Sequence, residues 1–341
     1  MTSPPAPASA RPRPTRTPTS YCHDNSGRLT EELTKTSTGG PVSDYSYVYD
    51  ADGNRKNGPE GAHSYNAVNQ ITDAGAAFDA DGNQTQPNSY SYNATDQTAS
   101  FGGTGATYAG ADQKERTSMG STTYASGATG TASITTTAGT AYYDRDPSGA
   151  LISEHGPDGD LYYYFDGHGS VIGLLNRTGD VQATYTYDAY GAHPTVGGPN
   201  QTVANNNPWR YTSGLLDAAT GLYKYGQCYY QPGLGRWTQQ DDVEHIGDLS
   251  QGDRYVYSSD DAVDTSDPSG RDDVTYANQG LPNSPAYDGG GTPIGHTECT
   301  IYVVGGGILV GILATPVTSY RVSTVVNVVS GVSGYLLSTL C

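Results

Sequence analysis

Residues 161–190 read LYYYFDGHGSVIGLLNRTGDVQATYTYDAY. Three runs, LYYYFD, GSVIGLLN and VQATYTYDAY, are apolar throughout or alternate between apolar and polar residues. They are separated by Asp166-Gly-His-Gly169 and Arg177-Thr-Gly-Asp180, both of which are turn chemistry. Alternation with a period of two marks strands that bury one face. The connections are too short to cross over a sheet, so successive strands must be antiparallel neighbours. The spacing predicts a meander, and with it an all-β fold.

The same grammar runs towards the N-terminus. Tyr45, Tyr47 and Tyr49 alternate with smaller residues, and Asp52-Gly53 predicts a tight hairpin turn because both residues tolerate positive φ. Tyr49-Asp-Ala-Asp-Gly-Asn54 is echoed by Phe78-Asp-Ala-Asp-Gly-Asn83, and Ser64-Tyr-Asn-Ala-Val-Asn-Gln70 by Ser91-Tyr-Asn-Ala-Thr-Asp-Gln97. A hairpin of this length cannot bury a face alone, so its repetition implies neighbours that stack. Residues 100–140 hold Gly, Ala, Thr and Ser with few aromatics, and suit either strands or a long surface loop. Residues 193–207 are rich in Pro, Gly and Asn and predict a loop. Residues 1–20, MTSPPAPASARPRPTRTPTS, read as disordered linker and lack the apolar run of a secretory signal.

Composition agrees with thin, half-wet sheets. The aromatic set is 29 Tyr against 3 Phe and 2 Trp, and Tyr joins a large buried ring to a polar tip. The 45 Gly and 20 Pro require frequent turns. A net charge of −18 argues against nucleic acid as a partner, because phosphates would be repelled. The four cysteines, Cys22, Cys228, Cys299 and Cys341, are scattered, with no CxxC spacing. They suggest neither a disulfide framework nor a metal site, and no cofactor motif is evident. Cys299 and Cys341 bracket an apolar tail and are the pair open to an oxidising compartment.

Tyr211 to Gly270 differs from what precedes it. It contains GLYKYGQCYYQPGLGRWTQQD at 221–241 and then RYVYSSDDAVDTSDPSG at 254–270. Together with the upstream YDADGNRKN, FDADGNQTQ, YYYFDGHGSVIGLL and YTYDAYG, this segment resembles the RHS repeat-associated core that ends RHS and YD-repeat polymorphic toxins. The resemblance spans roughly residues 21–270. It implies a partial shell of wound β-hairpins closed by a core segment, then a self-cutting aspartyl site, then a tip that is exchanged between relatives. It also implies that this reading frame begins partway through a longer shell. The expected partition is a linker at 1–20, a YD-repeat shell segment at 21–207, a core at 208–270, a polar linker at 271–298 and the variable tip at 299–341.

The resemblance places a catalytic carboxyl pair at Asp241 and Asp267, with cleavage near residues 270–272. Two carboxyls held close cannot both ionise, so one keeps a proton while the other activates water or polarises the amide. The family pattern has Arg where this chain has Cys228 and Pro where it has Asp242; its usual Asn-Pro before the second motif reads Asp260-Asp261-Ala262 here, and its Leu is Arg271. A thiol supplies no planar cation, so the expectation is impaired cutting.

Cys299 to Tyr320 is a run of 22 uncharged residues, and Val322 to Cys341 another of 20. Each is long enough to cross a bilayer as a helix, which takes about 20 residues. The spacings Gly307xxxGly311 and Ser330xxxGly334 offer small faces for helix contact. Abundant Gly and β-branched residues suit a buried tail equally well. His296, Glu298 and Cys299 lack the partners an enzyme site needs. The expected function is therefore the C-terminal portion of an RHS-type toxin presenting or enclosing a membrane-active tip. A cognate immunity protein and a secreted or cell-surface setting follow from the resemblance. The alternatives are a structural or adhesive surface protein anchored by its tail, or a decayed remnant.

Overall fold

The computed structural model describes residues 19–36, 38–241 and 253–267, together with the backbone of Val274–Thr275 and Glu298–Tyr302. The architecture is all-β, built from consecutive antiparallel hairpins. One sheet has 12 strands, from Tyr90–Tyr92 to Thr195–Gly197, and its neighbours follow chain order without a crossover. Within it, Gly159–Phe165, Val171–Asn176 and Val181–Thr186 form the expected meander. Leu161 and Tyr163 face the core while Tyr162 and Tyr164 face outward.

Residues 100–140 are strands, not loop: Thr98–Phe101, Thr104–Tyr108, Arg116–Met119, Thr122–Gly127 and Gly130–Thr136. Their few large apolar residues suffice because Phe101 and Met119 share one buried face with Tyr90 and Tyr229. On the exposed side, threonines pair across strands, as Thr135 and Thr140 do at 2.9 Å. The loop expected at 193–207 instead holds the strand Thr195–Gly197 and a short helix, Gln201–Asn206. The Asn200 side chain caps that helix by accepting the Val203 N–H, and Val203 and Ala204 pack on the sheet.

The repeated turn is organised by the aspartate after the tyrosine, rather than by the Asp-Gly pair. Asp50 Oδ1 accepts the N–H groups of Asp52 and Asn54, while the Asp50 N–H and carbonyl bond to Asn54 and Gly53. The same four bonds recur around Asp24, Asn66, Asp79, Asn93, Asp146, Asp166, Asn176 and Asp188. A short side chain with an acceptor oxygen is needed at the first position, which limits it to Asp or Asn. The fourth position has positive φ throughout, for example Gly53 at 91°, Asn69 at 61° and Asp96 at 57°. That explains why Gly, Asn or Asp always stands there.

The preceding tyrosine has its own task. The Tyr49 hydroxyl donates to the Leu29 carbonyl at 2.6 Å, Tyr65 to Arg55 at 2.9 Å, Tyr92 to Gln84 at 2.8 Å and Tyr187 to Val171 at 2.8 Å. Tyr108 bonds Thr98 at 3.0 Å in the same way. Each acceptor lies five residues past an earlier turn-forming Asp or Asn: Asp24, Asp50, Asp79, Asp166 and Asn93 respectively. Each staple between hairpins contributes about 1 kcal/mol net.

Four short strands, Leu215–Asp217, Leu222–Tyr225, Cys228–Gln231 and Arg236–Trp237, form a separate sheet. Its rings join Leu29 and Tyr47 from the start of the chain and Ala189 and Tyr190 from the last turn in one aromatic core. Tyr230 and Tyr257 are the closest pair there, with centroids 4.2 Å apart. The strand Val274–Thr275 pairs with Thr265–Ser266, so a β-ladder enters the expected linker. Glu298–Tyr302 pairs antiparallel with Thr19–His23. The first residues of the tip are therefore strand, not helix, and residues 303–341 lie outside the described residues. Among the described residues no helix is long and apolar enough to cross a membrane. Cys22 is disulfide-bonded, which the scatter of cysteines did not anticipate.

Candidate functional site

The site begins at the end of the short sheet and continues into residues 253–267, which return along it. The Trp237 N–H donates to the Tyr255 carbonyl at 2.8 Å, and the Asp241 N–H to the Arg254 carbonyl at 2.8 Å. From this double segment, polar side chains reach into the turns of the repeats. Arg236 donates to the Asn69 carbonyl at 2.6 Å, Tyr255 to the Gly82 carbonyl at 2.6 Å and Gln239 to the Asp96 carbonyl at 2.7 Å. Asn69, Gly82 and Asp96 are each the positive-φ residue of their turn. The turn thus aims one carbonyl away from its own hairpin, and the double segment supplies its donor. Gln239 also donates to Asn83 and accepts from Gln113, so one amide ties three hairpins together.

The two expected catalytic carboxyls occupy different surroundings. Asp267 is 1% exposed and lies beside the Tyr257 hydroxyl. Asp241 is partly exposed, and its carbonyl accepts the Arg254 guanidinium at 2.6 Å. Cys228 is a buried thiol within the aromatic core, in register with Tyr225. Arg28, Arg55, Arg236 and Arg254 are each engaged with a backbone carbonyl.

Sequence reasoning gave no role to two buried acids of this region, Asp253 and Asp260. Asp253 is 6% exposed; burial pushes its carboxyl up to about 6, and Arg236, 3.7 Å away, opposes the rise. Its Oδ1 accepts the Tyr255 N–H, and its Oδ2 has no hydrogen-bond partner among the described residues. Asp260 is 4% exposed and held well above the carboxylate range by burial and by Asp253, against the pull of Arg28, Arg55 and Arg236. It sits against Gly53, where a Cβ would come within 3.4 Å of its Oδ2. Burial thus favours the protonated form of both acids, against the pull of the nearby arginines. No spacing in the sequence marks them, since an Asp in a polar run reads as solvated.

Two further clusters could coordinate a cation: His23 with Asp261 and Asp264, and His193 with Glu60 and Asp188. In each the imidazole already bonds a carboxylate, His23 to Asp261 at 3.1 Å and His193 to Asp188 at 2.9 Å. These hydrogen bonds account for both clusters.

A family model, the Teneurin YD-shell, matches residues 134–259, from the middle of the large sheet into the segment that returns along the short sheet. The tRNA3(Ser)-specific nuclease WapA of Bacillus spizizenii is 30% identical over 291 residues, covering 77% of this chain and 12% of that protein. The toxin subunit YenC1 of Yersinia entomophaga is 35% identical over 92 residues, or 27% of this chain and 9% of that one. Among solved structures, TcdB2-TccC3 without its hypervariable C-terminal region superposes with a TM-score of 0.48 at 19% identity, covering 73% of this chain and 15% of that one. The chain thus spans a small part of the length of these relatives. With its Tyr-Asp turns, its stacked hairpins, the YD-shell match and the WapA match, the chain belongs to the RHS/YD-repeat family and is related to the toxins within it.

Proposed function

We propose that this chain is the C-terminal portion of an RHS-type polymorphic toxin, in which residues 21–207 form shell, 208–270 form the plug and 299–341 are the delivered tip. The observation that carries this reading is the plug's hold on the turn carbonyls of Asn69, Gly82 and Asp96. Such contacts serve to close a repeat array, not to turn over a substrate. The WapA relatives are named as tRNA nucleases, yet the tip of this chain has Arg321 as its one Lys or Arg across 299–341. That leaves too little positive charge to neutralise tRNA phosphates, so the proposed target is a membrane. The proposal includes a cognate immunity protein and a secreted or cell-surface setting.

The test is inducible expression of residues 271–341 in bacteria. Growth arrest with dye leakage supports a membrane-active tip. Normal growth with the fragment in the membrane favours an anchor, and normal growth with soluble fragment favours a remnant. Self-cleavage at 270–272 through Asp241 and Asp267 is the second proposed activity. With Cys228 at the position of the family Arg, the purified chain is expected to run intact at 35.8 kDa. Cys228→Arg is expected to restore cutting, with Asp242→Pro improving it. Spontaneous release of a fragment of roughly 7 kDa from the unaltered chain, some 70 residues at about 0.1 kDa each, would show that the arginine is dispensable.

A further inference from the structure

The pairing of Glu298–Tyr302 with Thr19–His23 brings the start of the tip back to the first strand of the shell. Its register sets Thr19 opposite Tyr302, Tyr21 opposite Thr300, Cys22 opposite Cys299 and His23 opposite Glu298. Cys22 is 9% exposed and disulfide-bonded. Cys228 is a buried thiol, which leaves Cys299 and Cys341 as partners within the chain. Residues directly opposite in an antiparallel pair have Cα atoms about 4.5–5.5 Å apart. A disulfide requires a Cα separation of about 4.4–6.8 Å. The backbone register alone therefore meets the geometric condition at Cys299.

We propose that a Cys22–Cys299 disulfide tethers the C-terminal tip to the first strand of the shell. Two thiols lose two protons and two electrons to form the bond; the acceptor is a thiol–disulfide oxidoreductase or dioxygen outside the cytosol. Two molecules of a low-molecular-weight thiol such as glutathione reverse it, returning two electrons and two protons as they join in a disulfide of their own. Any cut between 270 and 297 then leaves the tip attached. Release needs both the cut and a reducing environment, which a target cytosol provides. The role as a release lock rests on the proposed function above, whereas the bond itself does not.

The test uses the full chain, purified without reductant, with free thiols alkylated before digestion. Mass spectrometry is expected to find one linked peptide pair containing Cys22 and Cys299, two hydrogens lighter than the sum of its parts. A second preparation carries a site-specific protease sequence inserted between Pro282 and Asn283. After nicking it should migrate as one species without reductant and as two with dithiothreitol, and Cys341→Ser should not change this. Cys299→Ser should separate on nicking alone. Alkylated Cys22, or a linkage joining Cys299 to Cys341 or Cys22 to Cys341, overturns the proposal. None of these readouts depends on toxicity, so a harmless tip would refute the toxin reading and leave the tether standing.

Discussion

Replacing Asp253 by Asn tests whether buried carboxyls set the pH response of the fold. Asp253 is raised from 3.8 to about 6 by burial, with Arg236 opposing the rise. An acid raised on folding is favourable only while protonated. Its contribution is intact below the ordinary value of 3.8 and is lost as pH climbs through about 6. A rise of about two pKa units corresponds to roughly 3 kcal/mol at neutral pH. Asparagine keeps the shape and can still accept the Tyr255 N–H. It forfeits the attraction of Arg236, which keeps its Asn69 carbonyl and its places over the Tyr65 and Tyr255 rings. The net gain expected for Asp253→Asn is about 1–2 kcal/mol at pH 7.5, and little of it at pH 4. At roughly 2–4 °C per kcal/mol, Tm should rise by about 2–8 °C at pH 7.5. Thermal unfolding followed by circular dichroism at pH 4, 6 and 7.5 measures this for parent and variant. Glu32 is raised to about 8 and Asp166 to about 6, so the parent should lose stability across the same window. The difference between the two proteins reports Asp253 together with the relief of Asp260, whose carboxyl Asp253 helps to raise. A variant less stable than the parent at pH 7.5, or a difference that does not change with pH, would refute the reasoning.

Tyr92→Phe removes the staple to the Gln84 carbonyl and should cost about 1–2 kcal/mol, with faster amide exchange confined to that hairpin. Gly179 and Gly191 share a positive φ, 81° and 77°, but differ in surroundings. A Cβ at Gly179 meets nothing within 4 Å, whereas one at Gly191 would lie 2.4 Å from Tyr211 Cγ. Gly179→Ala should cost about 1–2 kcal/mol from backbone strain alone, and Gly191→Ala more than about 3 kcal/mol, read by urea denaturation. Arg116 bonds Asp217 at 2.6 and 2.9 Å through two nitrogens in a buried site, so Arg116→Met should cost about 3–5 kcal/mol; adding Asp217→Leu should recover part of that loss.

The strands of 161–190 were legible because period-two alternation and short Gly-containing turns have a direct steric meaning. The repeats at Tyr49 and Phe78 were legible by self-similarity, yet their mechanics were not. The sequence drew attention to Asp52-Gly53, whereas Asp50 makes the bonds and Gly53 alone of that pair takes a positive φ. Thr-rich strands at 100–140 stayed ambiguous because their partners, such as Tyr229, come from more than 100 residues away. The helix at Gln201–Asn206 was hidden by flanking Pro and Asn that signal a loop and here act as cap and terminator. At the site, Asp253 and the burial of Asp260 escaped notice because burial is a tertiary property. The same residue types at Asp146 or Asp180 lie in exposed turns.

All five tyrosine staples point backward along the chain: residues 49, 65, 92, 108 and 187 each bond a carbonyl made earlier in synthesis. A polypeptide leaving the ribosome N-terminus first always finds the acceptor already present. Each hairpin can be fastened as soon as its own tyrosine emerges, so growth of the shell works as a one-way ratchet. The carbonyls of Asn69, Gly82 and Asp96 must instead wait for Arg236, Gln239 and Tyr255. Translation that stops before residue 236 would leave finished hairpins whose three carbonyls bond water in place of Arg236, Gln239 and Tyr255.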